Sequence, residues 1–166
     1  MDRVAWIVLL VVVVVFALSN RWGPIPQTCD NRPVDLIDPH QELAVADAPG
    51  WEYQRTLEAD LNGDGEPETI EIIARVLRAP QGAGDYQWDD GQPWQVYIRD
   101  GDQTTHVYAR WVQLGELLVF VTDDPQPRLV IAESQGAGYA LYTVDYHSPG
   151  KVKTVMVTSF SVSDRT

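Results

Sequence analysis

The sequence predicts an all-β protein, and three observations carry that prediction. From Trp51 onward apolar and polar residues alternate with a period of two over a series of short segments. Gly, Pro and Asp gather between those segments at hairpin-length spacings, as in "DGQP", "RDGDQ", "DDPQP" and "SPG". No segment of that region shows the 3.6-residue apolar repeat of an amphipathic helix. The expected architecture is an antiparallel meander of about eight strands. They form two four-stranded blade-like units, in propeller-blade or sandwich-like packing, preceded by one N-terminal hydrophobic helix.

That helix is the first element, within residues 1–20, a transmembrane anchor or signal peptide. "VAWIVLLVVVVVFAL" (Val4–Leu18) is an uninterrupted apolar run. As a helix it measures roughly 22 Å against the ~30 Å hydrocarbon thickness of a bilayer, and the flanking Ser19, Asn20, Arg21 and Trp22 bring it close to one span. The same run reads as a cleaved signal peptide, since Ala17-Leu18-Ser19 sets small residues just before Asn20. Either reading exports the remainder of the chain. The expected location is the cell envelope, as a single-pass membrane protein held through Val4–Leu18 with its C-terminal domain outside the cytoplasm, or secretion. Cys29 follows Pro26-Gln27-Thr28, which is no lipid-attachment motif.

Residues 21–50 carry five prolines and no sustained periodicity, which predicts an extended Pro-rich linker. A single cysteine, Cys29, forbids an intramolecular disulfide; it either cross-links two chains near the membrane, as a homo-oligomer, or is inert.

Residues 51–166 make the β domain. Trp51, Tyr53, Leu57 and Ala59 share one face of the first strand, and Glu52, Gln54, Thr56 and Glu58 share the other. In the next strand Ile70, Ile72, Ala74 and Val76 oppose Thr69, Glu71, Ile73 and Arg75. Further strands run over Trp94–Arg99, Thr105–Val112, Leu117–Val121, Arg128–Ala132, Tyr139–Tyr146 and Val152–Phe160. A faint internal repeat links them: "QGAG" occurs at Gln81–Gly84 and again at Gln135–Gly138. A sixty-residue shift lays "GDGEPETIEI" on "DDPQPRLVIA". Each half then reads strand, acidic turn, strand, QGAG loop, strand, strand.

The most informative stretch is "ADLNGDGEPETIEI" (Ala59–Ile72). Calcium takes six to eight oxygens in a flexible shell, and a short loop supplies them when alternate side chains turn inward. Asp60, Asn62 and Asp64 offer side-chain oxygens, Glu66 its backbone carbonyl and Glu68 a closing carboxylate. Gly65 permits a sharp turn at positive φ. An EF-hand is excluded, because the flanks alternate as strands and Pro67 breaks the EF-hand pattern. Strand, D-x-N-G-D-G-x-x-E, strand resembles the calcium loops of FG-GAP and VCBS repeats, the integrin α-chain-like propeller modules. The resemblance covers about residues 51–76 and implies the same five ligands: Asp60, Asn62, Asp64, Glu66 through its carbonyl, and Glu68. The second half keeps Asp123 and Asp124 but loses the other donors.

Composition excludes other classes. Lys and Arg number 12 against 24 Asp and Glu, a net charge of −12, with no basic stripe to meet a phosphate backbone; nucleic acid is not an expected partner. His40, His106 and His147 are scattered, and no nucleophile-elbow, zinc-protease or phosphate-loop motif occurs. The expectation is therefore a binding domain rather than an enzyme. The alternatives are a small periplasmic or surface hydrolase, or an accessory subunit of an envelope complex. The stretch "RAPQGAGDYQWDDGQP" (Arg78–Pro93) lacks a strand pattern, and long loops in compact domains often bind ligands. Its Tyr86 and Trp88 are the candidate contacts for a protein or carbohydrate ligand, the alternative being a hairpin whose Trp88 folds back onto the domain.

Overall fold

The computed structural model describes residues 32–80, 85–123, 125–136 and 138–161. Val4–Leu18, Cys29 and the first QGAG stretch lie outside the described residues. Eight strands succeed one another: β1 (Tyr53–Ala59), β2 (Glu68–Ala74), β3 (Gly91–Asp100), β4 (Gln103–Gln113), β5 (Gly115–Val121), β6 (Leu129–Gln135), β7 (Gly138–Ser148) and β8 (Lys151–Ser161). They pair antiparallel in chain order as two four-stranded sheets, β1-β2-β3-β4 and β5-β6-β7-β8. Each half of the expected repeat is thus one meander.

Alternation sets the inner faces. Ile70 and Ile72 of β2, Val96 and Ile98 of β3 and Val112 of β4 share one apolar cluster with Val119 of β5, Leu129 and Ile131 of β6 and Val144 of β7. Burying each such side chain is worth about 1.5–3 kcal/mol, so this shared cluster is the main reason the two sheets form one body. A bulge opposite Val96 and Tyr97 inserts one extra residue in β4, and both Val107 and Tyr108 reach the cluster.

The sheets meet at Leu114, which links β4 to β5 with φ 50°. Leu114 N donates to Asp90 O at 2.7 Å, and Gly136 N donates to Gln113 O at 3.1 Å. A Cβ on Gly115 would sit 1.8 Å from Ser134 O, so only glycine lets the chain leave the bend this close to β6.

The stretch expected as an extended linker is, from Arg32, docked on both sheets. Met156 N donates to Arg32 O and Val34 N to Thr154 O, covering the free edge of β8. The chain then crosses to the free edge of β4, where Ala109 N donates to Leu36 O and Asp38 N to Ala109 O, both at 2.9 Å. Leu36 enters the shared cluster. Residues 42–51 next lie over the outer face of the first sheet. Gln95 holds them from both sides of its amide, donating to Glu42 O at 2.6 Å and accepting from Ala44 N at 2.9 Å. A second apolar cluster of Ala44, Trp51, Ile73 and Tyr97 forms beneath this strap. Trp51 therefore belongs to the outer cluster, whereas Tyr53, Leu57 and Ala59 pack against the inner one.

Candidate cation loop and aromatic ribbon

Residues 60–67 connect β1 to β2, whose register starts at Ala59 opposite Glu68. Gly63 and Gly65 take φ of 80° and 92°, the left-handed conformation that costs glycine nothing. These turns aim successive amides at the loop's own acids. Asp60 Oδ1 accepts from Gly63 N at 2.7 Å and Asp64 N at 3.1 Å, and its Oδ2 accepts from Gly65 N at 2.9 Å. Asn62 Oδ1 accepts from Asp64 N, while its Nδ2 donates to Asp64 Oδ2 at 3.0 Å. Asp64 Oδ1 accepts from Glu66 N at 2.8 Å.

Glu68 behaves differently. Its side chain turns into the protein, 2% exposed, and Oε2 accepts from Leu61 N at 2.7 Å. Burial pushes its carboxyl above the usual carboxylate range; the amides of Leu61 and Glu68 pull it back, and the charges of Asp100 and Asp64 push it up again. Asp100 approaches from the end of β3 and accepts a hydrogen bond from Tyr146 of β7 at 2.9 Å. No Lys or Arg pairs with Glu68 among the described residues.

The five expected donors lie on one loop and the first residue of β2, and they are all oxygens, the donor type a hard cation takes. They do not form a closed cage: among the described residues no three His, Cys, Asp or Glu side chains gather closely enough to hold a metal ion. Asp60, Asp64 and Glu68 bring three carboxyl groups to one bend, and no Lys or Arg pairs with them among the described residues.

After β2, residues 77–79 pair with residues 85–87. Arg78 bridges to Tyr86, Gln87 N donates to Leu77 O at 2.9 Å, and Arg78 N donates to Glu52 Oε2 at 2.6 Å. Tyr86 and Trp88 then meet Tyr53 at ring-centroid distances of 5.5 Å each, and the Arg78 guanidinium sits 5.6 Å over the Tyr86 ring. Trp88 stacks on the buried Trp94, 5.7 Å away with planes 10° apart, yet stays 48% exposed. Its aromatic payload is half spent inside the protein; a ligand could reach the rest. Trp94 Nε1 is buried with no hydrogen-bond partner.

A third constellation carried no motif in the sequence. Glu133 of β6 is 5% exposed and accepts from Tyr108 of β4 at 2.7 Å, with Gln135 Nε2 on its other oxygen and Arg110 Nη1 at 3.7 Å. Burial and the Glu133 charge push the Tyr108 hydroxyl far up. Glu133 extends the inward row of Leu129 and Ile131, and that alternation was the available signal for a carboxylate facing the core. With both oxygens occupied, it acts as a polar link between sheets rather than as a reactive group. Comparison with family models, curated proteins and solved structures finds no match to this chain.

Proposed function

We propose that this chain is an extracytoplasmic β domain, membrane-tethered or secreted, that binds one calcium ion in the β1–β2 loop and serves adhesion, scaffolding or ligand binding. The observation that carries the calcium reading is Glu68: a buried carboxyl beside Asp64 and Asp100 with no cationic partner among the described residues. A divalent cation would offset that charge and hold the loop to the start of β2, with Asp60, Asn62, Asp64, Glu68 and the Glu66 carbonyl as donors. Its role is structural, and the resemblance of this loop to FG-GAP and VCBS calcium loops supports the same role. The export reading rests on Val4–Leu18. A blade-like or sandwich-like pairing of the two meanders suits the shared inner cluster.

Calorimetric titration of chelator-treated protein with calcium tests the reading. One ion per chain is expected, with affinity near the ~10⁻⁴ M of extracellular modules. Absence of heat together with an unchanged Tm in millimolar calcium would overturn it. The accessory-subunit reading has one observation in its favour: edge strand β5 presents Leu118 and Phe120, 51% and 48% exposed.

A further inference from the structure

The strap over the outer face of the first sheet stops short of the end where β3 begins. The row it leaves open crosses three neighbouring segments: Arg75, just past β2, Pro93 of β3 and Trp111 of β4. Pro93 and Trp111 are register partners, and Arg75 N donates to Pro93 O at 3.0 Å. This row floors a trough of about 480 Å³, walled by Gly50 at the end of the strap and by Gln87 and Asp89 of the ribbon. Gln87 and Asp89 alternate in sequence with Tyr86 and Trp88, whose rings are committed to Tyr53 and Trp94.

The trough's chemistry is specific. Trp111 is 51% exposed although it sits within a regular strand. Its indole occupies the space a side chain at position 91 would need: a Cβ on Gly91 would fall 2.4 Å from Trp111 Nε1. Arg75 is exposed and, unlike Arg99, Arg110 and Arg128, has no carboxylate at ion-pair distance among the described residues. Asp89 spends Oδ1 on Asp90 N at 2.8 Å, which leaves Oδ2 for a ligand.

We propose that this trough binds an acidic saccharide. A guanidinium grips a carboxylate through two parallel hydrogen bonds, an indole face covers the apolar C–H face of a pyranose, and amide and carboxylate oxygens take hydroxyl groups. Arg75 is assigned the sugar carboxylate, Trp111 with Pro93 the ring face, and Asp89 with the Gln87 amide oxygen the hydroxyls, the Gln87 amide nitrogen being held by Arg78 O at 2.9 Å. The protein's net charge of −12 opposes a densely charged polyanion and Arg75 is the one arginine lining the trough, so the ligand class is a sparsely charged acidic glycan, such as one in which uronic acids alternate with neutral sugars. The site lies at the end of β2 opposite Glu68 and does not rest on the calcium reading.

The test is calorimetry of the full-length chain in detergent micelles, with a hyaluronan octasaccharide, its carboxyl-reduced form and an acidic aromatic peptide as probes. The acidic octasaccharide is expected to bind saturably, and equally in calcium and in chelator, with the reduced form at least about tenfold weaker. Arg75→Gln is expected to erase that difference, and Trp111→Ala to lose both saccharides. Arg75→Gln changes a solvent-facing group, so it keeps the test decisive should Trp111→Ala fail to fold. No saturable heat with either saccharide overturns the proposal, as does acid-selective binding that survives Arg75→Gln. Tighter capture of the peptide also overturns it.

Discussion

The Tyr97 hydroxyl clamps the strap to the sheet: it accepts from Ala46 N at 2.5 Å and donates to Glu71 Oε2 at 2.6 Å. Glu71 in turn pairs with Arg99 at 2.7 Å, so one fully buried tyrosine ties a distant segment into an ion pair on the outer face. Burial and the bond to Glu71 push Tyr97 from its ordinary value near 10 up to about 12. The neutral phenol is thus favoured by folding, and the folded state holds this proton longer than the unfolded one. The contribution is fully present below pH ~10 and falls away between ~10 and ~12, by ~2–3 kcal/mol. Tyr97→Phe should make that alkaline loss shallower, without abolishing it, because burial raises Tyr108, Tyr142 and Tyr146 as well. At neutral pH the same change should cost about 1–3 kcal/mol, since Ala46 N loses its acceptor. Urea unfolding across a pH series measures both effects.

Calcium and Glu68 should show opposite signs in one variant. If Kd lies near 10⁻⁴ M, about 1 mM calcium stabilises the native chain by roughly 1.4 kcal/mol, a rise in Tm of roughly 4–6 °C. Glu68→Gln keeps an oxygen to accept from Leu61 N while removing the charge that Asp64 and Asp100 oppose. In chelator this variant should melt at or above the native temperature, and added calcium should raise it far less. Equal calcium shifts in both proteins would count against Glu68 as a ligand.

Gly115→Ala probes the seam. The new methyl would meet backbone atoms of Ser134 rather than a side chain that could swing aside. Overpacking of this kind typically costs 1–3 kcal/mol, and here β5 must move away from β6 to relieve it. A lowered urea midpoint is expected, with amide exchange rising first across β5 and β6.

The eight strands were legible because alternation and turn residues act locally. The strap was not, and the reason can be read from two residues. Ile73 and Gln95 stand on what pairing alone makes the solvent face of the first sheet, yet both are fully buried. The cover over them comes from residues 42–51, and Gln95 reaches its partners 51 and 53 positions away. Backbone bonds to a distant glutamine leave no period in the strap's own sequence; the clue was an isoleucine on a polar face. The β1–β2 bend was legible as a tight acidic turn, since its spacing and its glycines are local. The inward turn of Glu68 and its neighbour Asp100 were not, because the β2–β3–β4 pairing and the facing sheet bring them together. The open row of Arg75, Pro93 and Trp111 likewise exists only once three segments are aligned.

The link between Tyr108 and Glu133 should be the costliest polar contact to break. It joins β4 of one sheet to β6 of the other inside the core, where a buried carboxylate is tolerated because Tyr108, Gln135 and Arg110 surround it. Tyr108→Phe removes one charge-assisted bond and should cost about 1.5–3 kcal/mol. Glu133→Ala should cost more, about 3–5 kcal/mol, because it opens a cavity and leaves the Tyr108 hydroxyl buried without an acceptor. Once Glu133 is gone, losing that hydroxyl removes an unsatisfied group instead of a bond. The double variant should therefore be less damaged than the two single losses added together, with a coupling of about 0.5–3 kcal/mol. A double-mutant cycle by urea unfolding measures it. Strict additivity would mean that Tyr108 and Glu133 contribute independently and do not act as a linked pair between the sheets.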